Sequence, residues 1–324
     1  MIISYNSIKS KIYIAYLKLI RNQWEGFKFR KRLDLPNTAV LNKNSYHYLG
    51  LVAIFRGEDE YLLEWIEFNR MMGIDHFILY DNGLEKNSKV LLKPYIEKEI
   101  ITHIPFPDIP GLRDGRHANT LSIQQLAYAD FIIRFRHNFK YILQLDIDEF
   151  LFPKKHSTIK KYLQTFDDDE LGRLEINWTN FGNSGHIKKP SGLVIENFIK
   201  SSKKIVPHTV KSISNTRYLS RKFVYTNVHR FSHRLSFKDI FTKIFFGYPI
   251  IIRGKIANDL FQLNHYITKS KEEYLRKLKI NKRGYMVGKE TIENFIKLNS
   301  YCNQIEDKTI FRFLQKLKDK ANSN

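Results

Sequence analysis

The stretch Tyr141-Ile142-Leu143-Gln144-Leu145-Asp146-Ile147-Asp148-Glu149-Phe150 decides how this chain is read. Tyr141 to Leu145 is a short apolar run that predicts a buried strand, and it runs directly into three acids. If the extended geometry persists past Leu145, Asp146 and Asp148 leave the same face, because side chains alternate along a strand. Two carboxylates so placed can grip Mg2+ or Mn2+, hard cations that keep open positions for phosphate oxygens. The competing reading is that Asp146 and Glu149 cap the turn or helix that follows. A calcium loop of the EF-hand type fits poorly, since Phe150, Leu151 and Phe152 stand where it needs further oxygens and a glycine.

Upstream, the apolar run Tyr48 to Phe55 predicts a strand, and Glu58 to Met72 predicts a helix with Leu62, Trp65, Ile66 and Asn69 on one face and Gly73 at its end. His76 to Tyr80 reads as a second strand, ending in the turn Asp81-Asn82-Gly83. A short helix from Ser88 to Tyr95, a third strand from Ile100 to Ile104, the loop Pro105 to Gly111 and a helix from Ala118 to Asn138 lead to the acidic stretch. Downstream come a helix (Ser157 to Gln164), a strand (Arg173 to Trp178) and a glycine-containing loop from Phe181 to His186. Residues 200–260 suggest short strands and basic loops, and the C-terminal part is helical, opened by a capping box between Ser270 and Glu273 with Lys and Arg along an exposed face. The alternation predicts an α/β fold with a mostly parallel sheet and helices on both faces. In such sheets ligands bind beyond the carboxyl ends of the strands, where strand order reverses, which is where the acidic cluster falls.

The chain has 324 residues and a formal charge of +21. Residues 201–255 hold 12 Lys or Arg against one acid, Asp239. Nucleic acid, an anionic membrane surface and anionic substrates are all partners for such a charge, and biased codon usage is the bland alternative. No stretch approaches the roughly 18 apolar residues of a membrane-spanning helix. The apolar run Ile12 to Ile20 is broken by Lys18 and lacks a cleavage site, and the one cysteine, Cys302, excludes a disulfide framework. A cytoplasmic protein is expected, with residues 1–44 as an accessory segment that lies on a membrane surface through Ile12, Tyr13, Tyr16, Leu17 and Ile20 or docks on the core.

Three further blocks flank the acids. Arg56-Gly57-Glu58-Asp59-Glu60-Tyr61-Leu62-Leu63-Glu64-Trp65 with Gly73-Ile74-Asp75-His76 precedes them, and Asn177-Trp178-Thr179-Asn180-Phe181-Gly182-Asn183-Ser184-Gly185-His186 and Asn264-His265-Tyr266-Ile267-Thr268-Lys269-Ser270 follow. In this order they resemble glycosyltransferase family 92 and its family-2-like bacterial relatives, with Asp146-Ile147-Asp148 as the DxD element. The resemblance implies a GT-A fold over residues 45–285, with 286–324 as a helical extension. It also implies a nucleotide-sugar donor (first among them a UDP-hexose), a divalent cation (Mn2+ or Mg2+), and inverting transfer to a hydroxyl of a glycan or glycolipid, such as a lipopolysaccharide precursor. On that pattern Asp146 and Asp148 hold the metal with His265 as third ligand, or His265 is a core histidine. Arg56, Glu58 and Asp81 would meet the nucleoside, Asp81 alternatively making an Asx turn. Arg113, Asp114, Gln124 and Glu149 would meet diphosphate or sugar, or belong to solvated segments and structural support. After Asp81-Asn82 the chain departs from the family, with Gly83-Leu84-Glu85 in place of a serine and an aspartate. Inversion requires a base opposite the diphosphate, and Glu196, at an expected strand end, His186 and Glu175 are the candidates.

A glycoside hydrolase needs its two carboxylates at least about 5 Å apart across a bond and gains nothing from an i, i+2 pair. A nucleic-acid binder accounts for the charge, and Phe223, Tyr225 and Phe231 interleave with basic residues, but no nucleic-acid motif is present. An inactive, membrane-bound scaffold of transferase-like fold is the other rival.

Overall fold

The computed structural model describes residues 41, 45–83, 87–106, 122–166, 171–205, 209–219, 228–231, 254–280 and 292–321. The accessory segment expected over residues 1–44 therefore lies, but for Leu41, outside the described residues, as do Arg113 and Asp114. In chain order the elements are β1 (His47–Phe55), α1 (Asp59–Met71), β2 (His76–Asp81), α2 (Asn87–Glu97), β3 (Ile101–Pro105), α3 (Ile123–Arg134), β4 (Phe139–Gln144), β5 (Glu149–Pro153), α4 (Ile159–Leu163) and β6 (Arg173–Asn180). They continue with α5 (Val194–Asn197), β7 (Lys200–Ser201), β8 (Val210–Asn215), β9 (Gly254–Ile256), β10 (Phe261–His265), α6 (Lys271–Ile280), α7 (Ile292–Cys302), β11 (Ile305–Glu306) and α8 (Leu314–Ala321).

The main sheet has nine strands in the order β3-β2-β1-β4-β8-β6-β10-β5, with β9 beside β6. β3, β2, β1 and β4 run parallel, β8 is antiparallel to both neighbours, β10 is parallel to β6, and β5 is antiparallel to β10. This is the mixed, mostly parallel α/β architecture expected. The chain steps outward from β1 to β3 and returns to β4 on the other side of β1, so strand order reverses between β1 and β4. A crevice at the carboxyl ends of those two strands follows from the splayed connections.

β1 reads as a continuous apolar run because both its faces are covered. Leu49, Leu51, Ala53 and Phe55 enter one core with α1, while Val52 and Ile54 enter the other with α3. α1 buries Leu62, Trp65, Ile66 and Phe68, and the Trp65 indole N–H donates to the Glu149 carbonyl at 2.9 Å, tying the helix to the start of β5. Gly73 closes α1 at φ +93°, and a Cβ there would stand 2.6 Å from Lys160 Cβ. α3 is capped at Ser122, whose hydroxyl accepts from Gln125 N–H in a capping box; the start expected at Ala118 lies outside the described residues. α8 returns to α1: Leu317 is fully buried and the Phe313 ring sits edge-on to Phe68 at 5.8 Å. The segment expected as an extension thus packs into the same core. Among the described residues no helix is long and apolar enough to cross a membrane.

β2 opens on a buried histidine. His76 Nδ1–H donates to the Glu99 carbonyl at 2.9 Å, Nε2 accepts from the Thr102 hydroxyl at 2.8 Å, and the ring stacks on His47 at 4.7 Å. Burial, with His47 alongside, brings its pKa from 6.5 down to about 4. A proton is then bound more readily by the unfolded chain, so stability present above pH 6.5 is lost as pH falls toward about 4. Urea denaturation from pH 7 to pH 4 should show the wild type losing its advantage over His76→Gln across that window. A constant difference would contradict the neutral, buried assignment.

Candidate active site

β4 ends at Gln144, and the next four residues turn instead of extending. Leu145 N–H still reaches the Val52 carbonyl, and Glu149 N–H then donates back to the Asp146 carbonyl at 3.1 Å. The expectation of an extended Asp146-Ile147-Asp148 is corrected: a turn separates the two aspartates, and their environments differ. The Asp146 side chain is 35% exposed and that of Asp148 only 4%.

Asp146 Oδ1 accepts from Gln124 Nε2 and Oδ2 from Lys211 Nζ, both at 2.8 Å. Lys211 comes from β8, a strand buried along its whole length between β4 and β6. Its side chain is 1% exposed, and its ammonium also lies 3.4 Å from Glu149 Oε2. Burial opposes charging of Lys211, but Asp146 and Glu149 outweigh it and raise its pKa. Glu149 Oε2 accepts from Asp146 N–H at 2.9 Å, closing the turn from within, while Oε1 is buried without a hydrogen-bond partner among the described residues. Burial drives the Glu149 carboxyl well above its ordinary pKa, assisted by Asp146 and Asp148 against the opposing pull of Lys211.

Asp148 faces the other way. Its Oδ2 accepts from Lys277 Nζ of α6 at 2.9 Å, and its Oδ1 lies 3.7 Å from His265 Nε2. Burial alone would push Asp148 up, but Lys277, with Lys269 behind it, overcomes this and holds the carboxylate well below its usual range. His265 arrives by register: as the last residue of β10 it pairs with Glu149 of β5 and Asn180 of β6. Its Nδ1–H donates to Asn180 Oδ1 at 3.0 Å, which leaves the Nε2 lone pair toward Asp148. Burial lowers its pKa to about 4 despite Asp148, so the ring is neutral at pH 7. Glu58, just before α1, joins the same corner: burial raises its carboxyl, and Lys277, Asp148 and Lys269 act on it.

Asp148 Oδ1 and the neutral His265 imidazole, oriented by the Asn180 amide, are donor types suited to Mn2+ or Mg2+, and the expected third ligand, Asp146, is not brought to them. As they stand, no three His, Cys, Asp or Glu side chains among the described residues form a metal-holding group. The two lysines supply the balancing charge.

The other expected residues separate into two groups. Arg56 and Asp81 lie one strand over at the same sheet edge, where Arg56 Nη1 donates to Asn82 Oδ1 at 3.3 Å. Asp81 accepts from Gly83 N–H at 2.7 Å, Ser88 Oγ at 2.5 Å and His103 Nε2 at 2.9 Å. Burial acts to raise its pKa, and these three bonds prevail and lower it. The three base candidates do not join the corner. Glu196 lies on the single-turn helix α5, not at a strand end, and pairs with Lys318 of α8. His186 Nε2 bonds the Asn197 carbonyl at 3.2 Å. Glu175 pairs with Arg173 and Arg230, and its partner across β8 is Ser212, so it leaves the sheet on the face opposite Lys211. Trp178 packs against His265 at 4.4 Å.

Lys211 and Lys277 escape a reading of the sequence. Lys211 looks like one more member of a basic stretch, and Lys277 like an exposed lysine of α6. The capping box that starts α6, with Ser270 N–H donating to Glu273 Oε2 at 3.0 Å, sets the helical phase that carries Lys277, still partly exposed, to Asp148. The phase was legible; the partner was not.

A family model for glycosyltransferase family 92 matches residues 52–320. A glycosyltransferase family 92 protein of Oryza sativa subsp. japonica is 22% identical over 158 residues, covering 48% of this chain and 25% of that protein. The chain thus spans about a quarter of the length of that relative. Among solved structures it is similar to TarS of S. aureus, with TM-score 0.39 and 10% identity over 68% of this chain and 37% of that one. It is also similar to the mannosyltransferase PcManGT of Pyrobaculum calidifontis in complex with GDP-Man and Mn2+, with TM-score 0.38 and 11% identity over 84% and 72% of the two chains.

Lys211→Met would leave Asp146 and Glu149 facing each other without the shared cation. Breaking a buried pair on one side should cost about 3 kcal/mol in chemical denaturation. The Lys211→Met/Glu149→Gln double variant should recover part of that loss by removing one of the two acids. A loss below about 1 kcal/mol, the range of exposed pairs, would contradict a central role for Lys211.

Proposed function

The chain belongs to glycosyltransferase family 92, and from that premise we propose that it transfers a hexosyl group from a UDP-sugar to a hydroxyl of a glycan or glycolipid, with inversion and with a divalent cation at Asp148 and His265. The observation that carries this reading is the corner at the reversal of strand order, where His265 Nε2 and Asp148 Oδ1 face each other 3.7 Å apart with Asp146 and Glu58 beside them. When bound, the cation would supply charge stabilisation to the departing diphosphate.

Each residue of the corner has a task in that scheme. Asp148 and His265 offer the donor atoms, and Asn180 fixes the tautomer that leaves Nε2 able to bind. Asp146 is held by Gln124 and Lys211. Glu149 keeps the turn closed. Arg56 and Asp81, at the carboxyl ends of β1 and β2, and Glu58 beside them would meet the nucleoside. Glu196, His186 and Glu175 are engaged in contacts away from the aspartates, so none of them is proposed as the base.

A phosphate-rich acceptor fits the charge of +21. We therefore place the acceptor among glycolipids such as lipopolysaccharide precursors, met at the inner face of a membrane through the chain's excess of Lys and Arg.

The proposal is tested by incubating the protein with Mn2+ and a panel of nucleotide sugars and measuring nucleoside diphosphate release. Asp148→Ala should lower turnover by about 100-fold or more, the range seen when one preorganised electrostatic group is lost. Chelation of the metal should do the same to the wild type. Undiminished release in the variant would sink the metal role, and no release with any donor would sink the transferase reading.

A further inference from the structure

The two lysines that neutralise the aspartates are held in different ways. Lys211 is locked: it stands on a central strand, its side chain is 1% exposed, and its ammonium contacts Asp146 Oδ2, Glu149 Oε2 and, at 3.5 Å, the Val228 carbonyl. Lys277 stands on the helix that follows β10, its side chain is 45% exposed, and among the described residues its ammonium makes one ion pair, to Asp148 Oδ2. The helix itself is anchored without Lys277. The Ser270–Glu273 capping box, the Glu273 hydrogen bond with the Tyr61 hydroxyl and the Arg276–Glu60 pair hold α6 against α1. Lys277 can therefore change partner by side-chain rotation alone while α6 stays docked.

It also stands in the way. Asp148 presents one oxygen to His265 and the other to Lys277, so a cation held by Asp148 and His265 shares a single carboxylate with an ammonium group. Like charges that close repel strongly in a buried corner. The two cations compete for Asp148, and of the two lysines Lys277 is the one whose side chain is exposed. Cation binding would bring positive charge in, and a nucleotide diphosphate would bring negative charge to the same spot, where a displaced lysine finds a new counter-ion.

We propose that Lys277 is an exchangeable counter-cation: it holds Asp148 when no donor is bound, gives up Asp148 to the divalent cation, and then pairs with the diphosphate of the nucleotide. The inference rests on the metal reading of the corner. It makes cation and nucleotide binding mutually supportive, because each favours the position of Lys277 that the other requires. Glu58 and Asp146 are the other acids within reach of its field, and a Lys277 that merely moved to either would give no gain in nucleotide affinity.

The test is calorimetric titration of the full chain with MnCl2, then with UDP at saturating Mn2+, for the wild type, Lys277→Gln and Lys277→Arg, with far-UV circular dichroism as the check on folding. Lys277→Gln should bind Mn2+ about tenfold tighter in the absence of nucleotide, having lost the competing ammonium, and UDP about tenfold more weakly with Mn2+ present. Lys277→Arg keeps the charge and should follow the wild type in both titrations. Equal Mn2+ affinity in wild type and Lys277→Gln would overturn the competition, and unchanged UDP affinity would overturn the transfer to diphosphate. Failure of both proteins to bind Mn2+ while still binding UDP would instead remove the metal reading on which the inference stands. If Lys277→Gln does not fold, an Arg variant that binds Mn2+ and UDP more weakly than wild type alike would contradict the exchange.

Discussion

Lys211 holds together the part of this molecule on which the site depends. An ammonium buried in the middle of a sheet is tolerated only where acids meet it, and here Asp146 and Glu149 do so from either end of one turn. The turn in turn decides where β4 stops and β5 begins, and so where His265 falls, since β10 takes its register from β5. Trp65 adds a second pin by donating to the Glu149 carbonyl from α1. Four elements are thereby referenced to one short acidic segment, and the aspartates are placed by the ladder and the ion cluster together.

Much of the architecture was readable from the chain because it rests on local pattern. β1, β2, β3 and β4 are apolar runs bounded by turns, α1 carries its apolar residues at helical spacing, and the acids at the end of β4 sit where a parallel sheet binds ligands. Other parts were hidden for a physical reason. β8 reads Val-Lys-Ser-Ile-Ser-Asn, which looks like a polar surface segment, yet all six residues are buried because Lys211 is neutralised by residues some 62 to 65 positions earlier in the chain. Val194-Ile195 before Glu196 looked like the end of a strand, but a short apolar run does not distinguish strand from helix, and the Glu64 carboxylate caps this segment into a helical turn by accepting Val194 N–H and Ile195 N–H. The acidic half of the site was legible; the basic half, which depends on tertiary register, was not.

The division of labour between the lysines gives the corner its chemical character. Asp146 is committed to a permanent partner, whereas Asp148 is paired with an ammonium that approaches from the solvent side. Two carboxylates that look equivalent in the sequence Asp-Ile-Asp are therefore unequal in surroundings and partners. His265 is prepared for the same task, neutral at pH 7 and with its tautomer fixed by Asn180. The chain belongs to glycosyltransferase family 92, and the nucleotide-sugar reading proposed for this corner rests on that membership together with the arrangement of Asp148 and His265.

The central claim, that a divalent cation binds between Asp148 and His265 at the reversal of strand order, is tested most directly by crystals grown with Mn2+ and UDP and measured for manganese anomalous scattering. The account predicts one strong peak within coordination distance of Asp148 Oδ1 and His265 Nε2, with diphosphate oxygens completing the shell. A peak elsewhere, or bound UDP with no peak beside Asp148, would contradict it.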